Sequence, residues 1–145
     1  MTTITAQATQ VYSVFIRATP EQIWDAITKP EFTQQYFYGA RIEVRDGRLF
    51  SAVGDTAWDE AVLEADPPSK LVHGWTSSYD AELAAEEPSR VTWEIEPQDG
   101  GITKLTVVHD QLEGAPKTAE NVAGGWMYIL SGLKTLLETG TPLAD

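Results

Sequence analysis

An apolar stripe near the C-terminus constrains this chain most. Val122, Trp126, Ile129, Leu130, Leu133, Leu136 and Leu137 recur at helical spacing, so Thr118 to Thr139 is expected as one amphipathic helix. At ~1.5 Å per residue that helix spans roughly 33 Å, enough to cross a small domain. Everything before Thr118 reads mostly as strands, so the stripe has to bury itself against a sheet. Gly124-Gly125 interrupts the pattern, each glycine costing ~1 kcal/mol against alanine inside a helix. The pair fits a helix that starts at Gly125, a loosely held first turn that moves to admit a ligand, or plain close packing.

The strands are legible from period-two alternation and turn chemistry. Val11 to Arg17 is a β-branched and aromatic run with Tyr12, Val14 and Ile16 on one face. Thr19-Pro20-Glu21-Gln22 supplies an N-cap, a first-turn proline and a capping-box partner for a short helix carrying Ile23, Trp24 and Ile27. Lys29-Pro30 breaks it and opens a second short helix, Glu31 to Tyr36. Arg41–Val44 and Arg48–Val53 flank Asp46-Gly47, a strong hairpin signal. Trp58–Ala65, Lys70–Thr76, Arg90–Glu96 and Ile102–His109 complete seven strands. The acidic, alanine-rich segment between Ser77 and Ser89 reads as a solvated loop or a single helical turn. Short connections suit antiparallel neighbours, and a sheet of this length curls under its own twist. The expectation is an α+β fold: a curved seven-stranded antiparallel sheet wrapped around one long C-terminal helix, with two short helices after the first strand.

Composition excludes more than it names. The 145 residues fit one domain and contain no cysteine, which removes disulfides and thiol chemistry. Twenty-two acidic against 10 basic residues give a net charge of −12, which repels nucleic acid and anionic membranes. Met1–Gln7 has neither a basic nor an apolar run, so a soluble, cytoplasmic protein is expected.

The element order, with four local motifs, resembles the helix-grip fold of the START/Bet v 1-like (SRPBCC) superfamily. Within it the likeness is to the branch named after the C-terminal domain of the activator of the Hsp90 ATPase (AHSA1-like). The motifs are the strand-to-helix segment Ile16–Ile27, the corner Tyr36-Phe37-Tyr38-Gly39, the hairpin Val62–Val72 and the closing helix from Gly125-Trp126 to Gly140. Met127 stands where many relatives carry proline, so no kink is expected there. Stand-alone members of the family are similar to small-molecule carriers, to polyketide cyclases and hydrolases, or to partners of transcriptional regulators. Fold analogy does not choose among these.

Alternation then assigns the concave face. Val91, Trp93 and Ile95 share one face of their strand, as do Thr103, Leu105, Val107 and His109, and Leu71, His73 and Trp75. With Trp126 and Leu130 from the helix, these residues surround an interior that is either filled by rings or left as a pocket. The expected ligand-binding set is Trp75, Trp93, His109, Trp126, Leu130 and His73, with Tyr36 and Phe37 near the mouth. The leading expectation is a binding protein for a small hydrophobic molecule, leaning away from an enzyme. One alternative is a cyclase- or hydrolase-like enzyme using His109, which resembles a position where relatives often place a histidine and would need a nearby carboxylate. Another is a protein-interaction module, linked to a chaperone or a regulator, and a homodimer stays open. Apart from Phe15, though, the outer face reads polar. Asp59-Glu60 and Glu64 are carboxylates that can in principle pair for acid–base work; Glu64 reads as a surface residue. No cofactor motif is visible, and no metal site is expected, because His73 and His109 lie far apart without carboxylates at helical spacing.

Overall fold

The computed structural model describes residues 8–144. The N-terminal heptad, which carried the reading against a leader peptide, lies outside them. β1 (Gln10–Ile16) leads into α1 (Pro20–Thr28) and α2 (Pro30–Thr33). A meander follows: β2 (Arg41–Arg45), β3 (Arg48–Val53), β4 (Thr56–Asp66) and β5 (Lys70–Trp75). The one-turn α3 (Ala81–Ala84), β6 (Ser89–Pro97), β7 (Thr103–Asp110) and α4 (Pro116–Thr139) complete the chain. The seven strands form one sheet in the order β1-β7-β6-β5-β4-β3-β2, antiparallel throughout.

Local chemistry accounts for the junctions. Thr19 Oγ1 accepts from Gln22 N at 3.1 Å and Gln22 Oε1 accepts from Thr19 N at 2.8 Å, the reciprocal capping box expected at α1. Asp46 and Gly47 both take positive φ, 53° and 73°, as a tight hairpin between twisted strands requires. The β4–β5 register shifts between Val62 and Glu64, as at a β-bulge, and Leu63 there faces solvent.

α4 runs unbroken through Gly124 and Gly125, which corrects the option of a helix starting at Gly125. It begins at Pro116 because its first turn is capped from a distance. The Glu86 carboxylate, just after α3, accepts from Lys117 N at 3.0 Å and from Thr118 N and Oγ1 at 2.7 and 2.8 Å. Gly140 closes the helix in the left-handed conformation. The stripe is buried as expected, with Leu137 half-buried, against Leu71, Val91, Trp93, Ile95, Leu105 and Val107 of the sheet. On the outer face the structure adds Val11 and Leu63, 60% and 61% exposed, to Phe15, so that face is less polar than alternation alone suggested. Among the described residues no helix is long and apolar enough to cross a membrane.

Candidate functional site

Two indole–imidazole pairs hold the interior. β5 and β6 pair so that Leu71 opposes Trp93 and His73 opposes Val91, while β7 sets His109 against Val91. Trp93 Nε1–H donates to His73 Nε2 at 3.0 Å, and Trp126 Nε1–H donates to His109 Nδ1 at 3.0 Å. An indole can only donate, so each facing nitrogen carries a lone pair and the other ring nitrogen carries the proton. His73 Nδ1–H accordingly donates to Gly74 O at 2.7 Å, and His109 Nε2–H to Ser89 Oγ at 2.8 Å. Burial pushes His73 down to about 4 and His109 to about 3. Both imidazoles are neutral with both nitrogens engaged.

His109 therefore has no carboxylate partner for acid–base work. The adjacent Asp110 takes Arg90 Nε at 2.9 Å instead. Among the described residues no cluster of three His, Cys, Asp or Glu side chains is arranged to hold a metal ion.

Between α4 and the sheet lies a cavity of about 410 Å³. Of the residues expected there, Phe37, His73, Trp75, Trp93 and Trp126 are on its wall, while Tyr36, His109 and Leu130 are not. Each displacement has a cause. Tyr36 turns away to donate its hydroxyl to Ala26 O at 2.6 Å. His109 is screened by the rings of Trp75 and Trp126, 5.3 and 5.9 Å away between centroids. Leu130 sits one helical step round from Ile129, which does reach the wall. Trp126 anchors the arrangement, its ring packing on Phe37, Trp75 and Trp93 at 5.9, 5.6 and 5.4 Å. At the rim Tyr79 donates its hydroxyl to Asn121 Oδ1 at 2.6 Å, joining the β5–α3 connection to α4.

Sequence reasoning undervalued Glu60. Asp59 and Glu60 do not pair, because successive strand residues point to opposite faces. Asp59 turns outward to Arg48 Nε at 2.7 Å, whereas Glu60 is 7% exposed and stands on the cavity wall. Its Oε1 accepts from Thr76 N and from Thr76 Oγ1, the latter at 2.8 Å. Burial raises the carboxyl to about 7 despite those bonds. The signal lay in the inward set Trp58, Glu60 and Val62, where a lone carboxylate interrupts apolar residues. Glu64 is exposed beside Lys70 at 3.6 Å, the surface carboxylate expected.

A curved antiparallel sheet gripping one long helix defines the helix-grip class of α+β proteins. The family model described as Activator of Hsp90 ATPase homolog 1-like protein matches residues 17–138. The chain belongs to that family, within the SRPBCC superfamily. Several solved structures share the fold. The conserved protein of unknown function EF2215 from Enterococcus faecalis is 18% identical with a TM-score of 0.73, covering 94% of this chain and 76% of that one. CalU16 from Micromonospora echinospora is 20% identical with a TM-score of 0.70, covering 94% and 77%. The Aha1 dimer from Colwellia psychrerythraea is 15% identical with a TM-score of 0.72, covering 92% and 98%. No curated protein matches the sequence.

Proposed function

We propose that this protein binds a small hydrophobic molecule in the space between α4 and the sheet. The observation that carries this reading is a cavity of about 410 Å³ that persists although four tryptophans, Trp58, Trp75, Trp93 and Trp126, stand on its wall. Rings of that size would fill a core meant to be solid. The volume falls within the range of small-molecule sites, apolar with a few placed polar groups. Holding a ligand without transforming it is the better-supported role, since neither imidazole has a free nitrogen.

The wall tryptophans provide the test. Titration with a panel of aromatic and lipid-like compounds is expected to give a saturable change in indole emission for compounds that fit, with a matching rise in Tm. Native mass spectrometry reads the same complexes directly. No response across the panel by either measurement overturns the proposal. Self-association is a second reading, supported by the dimeric Colwellia relative and by exposed Val11 and Phe15 on β1. Sedimentation showing a monomer at all concentrations would remove it.

A further inference from the structure

The cavity wall has a sign. Among the described residues its lining includes no lysine or arginine, and His73 is neutral with both nitrogens engaged. The indole N–H groups of Trp75, Trp93 and Trp126 are taken by Ser77 Oγ, His73 and His109, each at 3.0 Å. These three rings therefore offer the cavity no N–H donor, and their faces carry partial negative charge. The hydroxyl of Thr76 is directed to Glu60 and that of Tyr79 to Asn121. Glu60 itself is half-satisfied. Both of its bonds go to Oε1, and among the described residues no donor or cation is bonded to Oε2. No buried side-chain oxygen among the described residues lacks a partner, so Oε2 keeps accessible surface, and its residue is on the cavity wall.

From this geometry we propose that the cavity selects a lipophilic amine, its protonated nitrogen against Glu60 Oε2 and its apolar body against the rings of Trp75, Trp93 and Trp126. A ligand carboxylate would meet an uncompensated carboxylate and no cation, two like charges in one site. A neutral apolar ligand leaves Oε2 without a partner. An ammonium supplies the missing donor, and the ring faces attract it further. The net charge of −12 enriches cations at the cavity mouth. The inference rests on the cavity being a binding site.

Three probes of one shape separate the outcomes: phenylbutylamine, phenylbutanol and phenylbutyrate, titrated against the full chain by calorimetry. The amine is expected to bind at least about tenfold tighter than the alcohol at about pH 8. In Glu60→Gln that preference disappears while the alcohol's affinity stays within about twofold. Wild-type protein provides a check that needs no variant. The groups acting on Glu60 are Thr76 and the ion-paired Arg48 and Asp59; the cavity wall it shares also carries His73, the uncharged Asn121, and Tyr38 and Tyr79, whose hydroxyls burial raises. Glu60 is the group expected to change charge between about pH 6 and pH 8, so amine affinity rises about tenfold across that interval while alcohol affinity does not. Equal binding of all three probes, or preference for the acid, overturns the amine assignment and leaves the hydrophobic cavity standing. Failure of all three to bind overturns the amine assignment, and silence across the wider panel as well overturns the cavity reading itself.

Discussion

Acid is expected to destabilise this protein through its two interior histidines. An imidazole has an ordinary value of 6.5, and burial lowers His73 to about 4 and His109 to about 3. Between those values the unfolded chain binds protons that the folded chain refuses, so stability is complete above 6.5 and falls as pH drops. Each histidine removes about 1.4 kcal/mol per pH unit, hence about 5 kcal/mol for the two by about pH 4.5. Glu60 acts in the opposite sense. Its carboxyl rises from 4.5 to about 7, so the folded state holds a proton that the unfolded chain releases, and acidification across that interval stabilises. The offset is roughly half of the histidine loss, leaving a net fall of about 2–3 kcal/mol. Urea denaturation at about pH 7 and pH 4.5 measures it, and in Glu60→Gln the fall is expected to double to about 5 kcal/mol. NMR gives the microscopic counterpart, because the imidazole Cε1–H resonances are expected to keep their neutral shifts down to about pH 5. Folded-state titration of either ring near 6.5, or equal acid sensitivity in wild type and Glu60→Gln, would refute the reasoning.

Three substitutions probe the frame. Thr33 is fully buried, donating to Ala40 O at 2.9 Å and accepting from Ile42 N at 2.8 Å. Thr33→Val strands both backbone groups and is expected to cost about 2–4 kcal/mol in equilibrium denaturation; a loss below about 0.5 kcal/mol contradicts that account. At Gly124, inside α4, an added Cβ meets no heavy atom within 4 Å, so Gly124→Ala is expected to stabilise by about 1 kcal/mol and raise Tm. A lowered Tm would mean the glycine is needed for something other than helix geometry. Two turns on, a Cβ at Gly132 would sit 3.0 Å from Tyr36 Cβ. Gly132→Val is therefore expected to destabilise by about 1–3 kcal/mol through overpacking, and a neutral thermal melt would show that Tyr36 yields.

Local patterns carried most of the fold. The capping box at Thr19, the Asp46-Gly47 turn and the helical stripe each depend on residues near in sequence, and all three form as read. The start of α4 was not readable, because its cap is a carboxylate some thirty residues upstream, and Ala115 offers no side chain to announce it. The cavity divides in the same way. Strand parity put His73, Trp75 and Trp93 on the inward face, and all three stand on the cavity wall, since alternation survives any tertiary arrangement. Whether His109 reaches the wall depends on which larger rings stand in front of it, a property of packing alone. Tyr36 and Phe37 diverge because the hydroxyl of one finds Ala26 O, and residue type gives no hint of that partner. Glu60 was within reach. It needed to be judged by its face of the strand rather than by its neighbour Asp59.

The pairing of β1 with β7 joins the two ends of the sheet's sequence. Every other strand pairs with its neighbour in the chain, whereas β1 finds its place only by closing a loop that spans most of the protein, Gln10 opposite His109 and Ile16 opposite Thr103. Loop closure adds about 0.6 kcal/mol per doubling of length, so seating β1 carries of order 2–3 kcal/mol more entropy than forming a hairpin. The meander is thus able to assemble first, leaving β7 as an open edge while it waits. In the finished sheet the free edge at the other end is β2, five residues long, with Arg41, Glu43 and Arg45 at alternate positions, charges that discourage a stray strand from pairing. Protection against edge-to-edge aggregation is therefore built into the native state at β2, but at β7 it depends on how quickly the first strand arrives.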